Sequence, residues 1–265
     1  MGLYNNRIVV KVGTSTLTND AGKSDLRTTD RLACVLSDIQ NMGYEVVLVS
    51  SGAIAVGRNK LNMTAKPDSM RMKQAAAAVG QCSLMYLYDK FFGDYDKTVA
   101  QILLNADDIE EEEKKENLIN TFNALLEMGV IPIVNENDSV SYKEIESEDR
   151  LFGDNDMLSA VVAVLCRAKH LVIFSDIDGF YDHDPRLYPN AQLIDQIDTI
   201  DDSVYALAGG AGSRRGTGGM RTKLQPASLA TSQGTNTIVT NGKHPEVLYD
   251  IVKGGRAGTL FPGKI

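Results

Sequence analysis

Six short apolar runs rich in β-branched residues, separated by longer stretches of helical periodicity, constrain this chain more than any other feature. They fall at 7–12, 45–49, 98–103, 130–134, 170–174 and 236–239. Near-continuous apolar strands that alternate with helices are buried on both faces. Helical spacing of apolar residues marks 30–42, 70–92, 116–128 and 156–167 as helices. The expected class is α/β, with a central, mainly parallel sheet.

Nothing else in the chain argues against that plan. No linker rich in Gly, Ser or Pro divides the 265 residues, so a single domain spanning 1–265 is expected. With 43% hydrophobic and 23% charged residues, the composition is that of a chain that folds throughout. The charged run at 107–115 reads as the solvated first turn of a helix, its acids complementing the helix dipole.

Charge excludes several classes of partner. A net charge of −8 and a pI near 5.0 disfavour nucleic acid and anionic membrane surfaces, which require clustered Lys and Arg. No apolar run reaches the ~20 residues that span a bilayer. The first residues lack the basic start and apolar core of a signal peptide, and Asn6 stands where a myristoylation motif needs Ser or Thr. A cytoplasmic location is expected. Cys34, Cys82 and Cys166 are far apart and read as buried free thiols. His170, His183 and His244 have no metal-binding spacing and are expected on surfaces or strand ends.

Polar and glycine-rich clusters follow the strands, where an open parallel sheet binds ligands. Lys11-Val12-Gly13-Thr14-Ser15 offers a cation, free backbone N–H groups and hydroxyls, a set that suits phosphate. Ser50-Ser51-Gly52 opens a helix, which a plain N-cap would also explain. Asn135-Glu136-Asn137-Asp138 puts four polar side chains at a strand mouth, more than a turn needs. In Phe152-Gly153-Asp154-Asn155-Asp156, Asp156 either caps the next helix or points inward to orient lysines. Ser175-Asp176-Ile177-Asp178-Gly179 is a turn with room for a base or ribose. The glycine-rich segment 209–223 leads through Gly218-Gly219-Met220 into a helix carrying Lys223, a combination that favours a polyphosphate.

Several familiar signatures are missing from the sequence. It contains no G-x-x-x-x-G-K-[ST], no G-x-G-x-x-G after the first strand, no H-E-x-x-H and no H-R-D loop. Walker-type NTPases, standard dinucleotide enzymes, zinc proteases and protein kinases are disfavoured accordingly.

Taken in order, six segments resemble the amino-acid kinase family, in detail its glutamate-phosphorylating branch. They are K-V-G-T-S-T-L-T from Lys11, S-S-G-A-I-A-V-G-R from Ser50, V-N-E-N-D-S-V from Val134, F-G-D-N-D from Phe152, S-D-I-D-G-F-Y from Ser175 and G-T-G-G-M-R-T-K-L from Gly216. The resemblance implies a three-layer αβα sandwich, with the amino acid held mainly by the N-terminal part and ATP mainly by the C-terminal part. It implies transfer of phosphate from ATP, with Mg²⁺ bridging the phosphates, to the side-chain carboxylate of L-glutamate, the first step of proline synthesis.

By residue-wise match, Lys11 and Lys223 are the charge-stabilising lysines and Asp156 is the acid that positions them. Ser51, Gly52, Asn135, Asp138 and Asn155 would hold glutamate. Lys11, Gly13, Ser175, Asp176, Thr217, Gly218, Gly219, Met220, Arg221, Thr222 and Lys223 would contact ATP. The resemblance also implies a homo-oligomer inhibited by proline.

Three features depart from the pattern or add to it. Longer members carry a C-terminal PUA domain, whereas this sequence ends at Phe261-Pro262-Gly263-Lys264-Ile265. Arg214-Arg215 add positive charge near the expected phosphates, and Pro226 removes one hydrogen bond from the helix of Lys223 and favours a kink. The polar segment 142–151 reads either as a lid over the substrate or as a solvated hairpin. Two alternatives remain open from the sequence: another acceptor on the same fold, or a nucleotide-binding sensor without catalysis.

Overall fold

The computed structural model describes residues 2, 4–19, 23–140, 155–185, 187–208 and 220–264. One seven-stranded sheet runs through it, in the order β3-β4-β2-β1-β5-β6-β7. The strands are β1 (Tyr4–Val12), β2 (Glu45–Ser50), β3 (Val99–Leu104), β4 (Ile131–Glu136), β5 (Ala168–Ser175), β6 (Asn236–Asn241) and β7 (Thr259–Phe261). All pairings are parallel except that of β7 with β6. The three-residue β7 pairs Val239 with Thr259 and is too short to leave a sequence signal.

Helices cover both faces of this sheet: α1 (Thr14–Leu17), α2 (Leu26–Asn41), α3 (Ala53–Lys60), α4 (Met70–Gly93), α5 (Asp107–Glu110), α6 (Glu112–Glu127), α7 (Asn155–Leu165), α8 (Asp202–Leu207), α9 (Arg221–Ser232) and α10 (Val247–Val252). The layers are an αβα sandwich, as the alternation of runs predicts. The start of α2 differs from expectation: it begins at Leu26, four residues before 30, because the Asp25 side chain accepts from Thr28 N–H and caps it. The acids at 107–115 divide between α5 and α6, with a break at Glu111.

Side-chain alternation along β1 splits the core. Ile8, Val10 and Val12 pack into the layer of α2, α4 and α10, whereas Val9 packs into the layer of α6, α7 and α9. Each such fully buried Val or Ile contributes roughly 1.5–3 kcal/mol. By the same period of two, Lys11 faces the α7–α9 side.

One helix–helix contact positions the rim above β2. Gly57 of α3 and Gly80 of α4 meet backbone to backbone: a Cβ on Gly57 would lie 1.7 Å from the Ala76 carbonyl oxygen, and one on Gly80 would lie 1.7 Å from that of Ala53. This contact holds the start of α3, and with it Ser51 and Gly52, against α4. Pro226 is buried within α9, which runs unbroken from Arg221 to Ser232, and Lys223 precedes the proline in the first turn. Pro226 therefore does not end the helix that carries Lys223, although it gives no N–H to the turn before it.

The thiols correct one expectation. All three are free, but only Cys166 is buried, while Cys34 is half-buried and Cys82 is exposed. Cys82 lies on α4 opposite the buried stripe of Ala76, Ala77, Gly80, Leu84 and Tyr88.

Candidate active site

Because β1 to β6 are mutually parallel, the segments that follow them share one rim of the sheet. The chain leaves β1 towards β2 but leaves its neighbour β5 towards β6. Such a switch point opens a crevice between the diverging connections.

Three charged groups meet beside that crevice. Lys11 approaches from the end of β1, Asp156 from the first turn of α7 and Lys223 from the first turn of α9. Lys11 Nζ lies 2.5 Å from Asp156 Oδ1, and Lys223 Nζ donates to Asp156 Oδ2 at 3.1 Å. All three residues are buried, Asp156 with 1% of its surface exposed. Burial alone pushes the Asp156 carboxyl up, but the charges and hydrogen bonds of Lys11 and Lys223 together outweigh it and hold it below the usual carboxylate range. The N-terminal turn of α7 is a favourable place for that anion, whereas Lys223 sits in a helix turn that disfavours a cation and depends on Asp156 for compensation.

Backbone shapes the space around the ammonium groups. Gly13 caps α1, and a Cβ there would stand 3.5 Å from Lys11 Nζ. Gly242, following β6, is pressed onto α1: a Cβ would come within 2.8 Å of Thr16 Oγ1. Gly52 caps α3 at φ +94°, a left-handed conformation suited to glycine, and so turns Ser51 back over the rim.

A cluster of neutral polar groups lies on the β2–β4 side of the charged trio. Asn155 Nδ2 faces three acceptors: the Ser50 carbonyl at 2.8 Å, Ser51 Oγ at 2.9 Å and Asn135 Oδ1 at 3.0 Å. Asn135 Oδ1 also accepts from Glu136 N–H, and Asn135 Nδ2 donates to Gln81 Oε1 at 2.9 Å. Beneath them Ser50 Oγ and the buried Tyr88 hydroxyl are 2.8 Å apart. Burial pushes the Tyr88 phenol far up, so it stays protonated. Asp138 is half-buried in the turn after β4, on the same rim.

The β5–β6 side carries a second polar set. Ser175 is buried at the end of β5 and its hydroxyl donates to Asp176 Oδ1 at 3.3 Å, while Asp176 itself is exposed. Asn241 Nδ2 donates to Asp178 Oδ1 at 2.8 Å across the two strand ends. Met220 is half-buried just ahead of α9, and Arg221 and Thr222 are exposed in its first turn. Thr217, Gly218 and Gly219 lie outside the described residues, as do Arg214, Arg215, Phe152-Gly153-Asp154 and the segment 142–151.

The sequence-predicted residues thus fall into three adjacent groups along one rim. Ser51, Gly52, Asn135 and Asn155 lie on one side, Lys11, Gly13, Asp156 and Lys223 at the centre, and Ser175 and Asp176 on the other. Gln81, Gln101, Tyr88 and Asn241 were not singled out from sequence. Gln101 is a polar residue inside an apolar strand run and Gln81 directly follows Gly80; those are the signals they leave. Of the histidines, His183 and His244 are exposed, and His170 is half-buried near the start of β5, away from this rim. Burial, aided by the charge of Lys169, pushes His170 down to about 4.

A sheet with this strand order, and paired lysines held by one carboxylate at its switch point, defines a class. Residues 6–241 match the family model described as "Amino acid kinase family", and the chain belongs to that family. Within it, the chain is 55% identical to a glutamate 5-kinase of Clostridium perfringens, over 97% of this chain and 96% of that protein. It is 50% identical to a glutamate 5-kinase of Listeria monocytogenes, over 97% of this chain and 93% of the relative. Among solved structures, carbamate kinase from Giardia lamblia bound to AMP-PNP aligns with a TM-score of 0.68 at 15% identity, covering 98% of both chains. At that identity the likeness establishes the fold alone.

Proposed function

We propose that this protein transfers the γ-phosphoryl group of ATP to the side-chain carboxylate of L-glutamate, giving L-glutamyl 5-phosphate and ADP, the first step of proline biosynthesis. The observation that carries this reading is the buried Lys11–Asp156–Lys223 trio, flanked on one side by neutral amides and hydroxyls. The identity to glutamate 5-kinases over nearly the whole chain supports the choice of acceptor.

In this reading each residue has a physical task. Lys11 and Lys223 carry one more positive charge than Asp156 balances, and that excess faces the oxygens of the transferring phosphoryl group. Asp156 holds both lysines in place at no cost in reorganisation when charge moves. The acceptor is already an anion, so the carboxylate oxygen attacks phosphorus directly, the bond to the β–γ bridging oxygen breaks, and no general base is needed.

Glutamate lies on the β2–β4 side, with Ser51, Asn135 and Asn155 near its polar groups, the backbone of Gly52 close by and Asp138 facing its α-ammonium. ATP lies on the β5–β6 side, along Gly13, Ser175 and Asp176 and over Met220, Arg221 and Thr222 at the start of α9. Thr217, Gly218 and Gly219 belong to the same proposed ATP contact. The N-terminal part of the single domain is then mainly the amino-acid half and the C-terminal part mainly the nucleotide half.

The fit to Mg²⁺ is to an ion carried on the phosphates. Among the described residues no cluster of three or more His, Cys, Asp or Glu forms a metal cage, and both Asp156 oxygens face lysines. Such an ion would neutralise charge on the β- and γ-phosphates. Cytoplasmic location, homo-oligomeric assembly and inhibition by proline at or near the glutamate site belong to the same proposal; among the described residues no helix is long and apolar enough to cross a membrane.

The test is Mg-ATP-dependent acyl phosphate formation, trapped with hydroxylamine, with glutamate, aspartate, acetylglutamate or buffer alone. A signal confined to glutamate is expected. A signal with another acceptor would replace the substrate, and folded, ATP-binding protein that gives no signal with any of them would make the protein a nucleotide sensor.

A further inference from the structure

The amide groups beside Ser51 form a directional relay that extends beyond the site. Asn155 Nδ2 donates to Asn135 Oδ1 at 3.0 Å, Asn135 Nδ2 to Gln81 Oε1 at 2.9 Å, and Gln81 Nε2 to Gln101 Oε1 at 3.2 Å. A primary amide has nearly the same shape in either flipped orientation, so only its partners decide which end accepts and which donates. Here each amide after Asn155 presents its carbonyl to the preceding NH₂, and the order runs one way from α7 through β4 and α4 to β3.

The direction matters at its inner end. Because Asn155 uses Nδ2 towards Ser50, Ser51 and Asn135, its Oδ1 is turned away from them, and among the described residues nothing donates to that oxygen. Ser51 Oγ accepts from Asn155, so the Ser51 proton is directed elsewhere. The rim therefore shows an incoming molecule an oriented acceptor, Asn155 Oδ1, and a rotatable hydroxyl able to donate, that of Ser51. An α-ammonium beside an α-carboxylate matches that pair.

We propose that Gln81 is a positioning residue for amino-acid recognition: it anchors the Asn135 carboxamide, whose flip Glu136 N–H sets, and through it steadies the Asn155 carboxamide, which the Ser50 carbonyl orients, with Gln101 as a weaker outer support. This rests on the proposed glutamate phosphorylation, whose substrate site it deepens. Asn135 is 1% exposed, so its Nδ2 has no water to turn to when Gln81 is removed. Held then on one side only, by Glu136 N–H, the Asn135 side chain loosens its hold on Asn155. Gln101 is exposed, and water replaces its carbonyl at little cost.

The experiment compares Gln81→Leu, Gln81→Glu and Gln101→Leu with the unaltered protein, reading KM for glutamate, KM for ATP, kcat and thermal midpoint. Gln81→Leu removes the acceptor for Asn135 and should raise the glutamate KM about tenfold or more, while the ATP KM moves less than about twofold. Gln81→Glu keeps an acceptor facing Asn135 Nδ2 and should recover most of that loss, and Gln101→Leu should raise the glutamate KM by less than about threefold. A glutamate KM unmoved in Gln81→Leu, or KM values for both substrates rising together with a lowered midpoint in Gln81→Leu and Gln81→Glu alike, overturns the proposal.

A second measurement separates this inference from the function on which it rests. If the unaltered protein makes no glutamyl phosphate, the functional reading falls, and the relay is decided by NMR of the ¹⁵N-labelled side-chain amides. Faster solvent exchange of the Asn135 and Asn155 carboxamide protons in Gln81→Leu supports the relay, and unchanged exchange refutes it.

Discussion

Replacing Asp156 by asparagine removes one charge and almost no volume, so it isolates what the carboxylate does for its two lysines. At ~3 Å and an effective dielectric constant of ~20, each pair attracts by about 5 kcal/mol before desolvation is subtracted. Removing one partner of a buried ion pair usually costs ~3–5 kcal/mol, because the other charge stays buried without compensation. Here two ammonium groups are left facing each other, with side chains only 7% and 9% exposed.

The Asp156→Asn protein should therefore lose ~3–5 kcal/mol at neutral pH, a drop of roughly 10 °C in thermal midpoint for a domain of this size. The pH dependence has a defined sign. The folded carboxyl titrates below its ordinary value of 3.8, so its contribution is fully present above that value and is lost as pH falls through the folded value. The gap between the two proteins should stay level at neutral pH and close in acid below about pH 4. In the proposed mechanism ATP brings phosphate charge to the same two lysines, so it should stabilise the variant more than the unaltered protein. Thermal unfolding with and without ATP between pH 3 and 8 makes the comparison. A midpoint within ~2 °C of the original at pH 7 would refute the reasoning, since it would mean that the lysines do not depend on Asp156.

Two further outcomes follow from the same geometry. Lys11→Ala and Lys223→Ala should each lower kcat by roughly 10²-fold or more, and near-normal turnover in either would remove that lysine from the proposed mechanism. Gly57→Ala places a methyl carbon where only 1.7 Å separates it from the Ala76 carbonyl oxygen, so α3 and α4 must part at a cost of about 1–3 kcal/mol in denaturant unfolding; because α3 carries Ser51 and Gly52 at its start, the glutamate KM should rise as well.

The sheet was legible because its strands are apolar on both faces, and six of the seven strands coincide with β-branched runs to within a few residues. β7 was not, because three residues of an antiparallel edge carry no periodicity. The start of α2 was hidden by Thr28 and Thr29, whose β-branched side chains weaken a helical signal that the Asp25 cap restores. Strand ends pointed to the rim, but residues that act at second hand leave little trace. Gln81 is one polar position on a long helix, and its importance lies in a hydrogen bond to Asn135, 54 residues further along. The exposure of Cys82 was illegible for a similar reason: Cys is so often buried that only the helical phase set by Gly80 and Leu84 places it outside.

The parity of β1 ties the fold to the site. Ile8, Val10 and Val12 fill one layer and Val9 the other, so apolar packing alone fixes which way Lys11 points. A slip of one residue would turn Lys11 into the layer of Leu36, Val56 and Leu84, an apolar environment that would cost several kcal/mol for an unpaired ammonium. On its native side Lys11 meets Asp156, placed by the first turn of α7, and Asp156 in turn fixes Lys223 on α9. Register of the central strand, packing of α7 on α9 and assembly of the charged trio are thus one constraint. It follows that Lys11→Ala should lower the thermal midpoint less than Asp156→Asn does, since Asp156 and Lys223 still neutralise each other in the first, whereas two buried ammonium groups lose their carboxylate in the second.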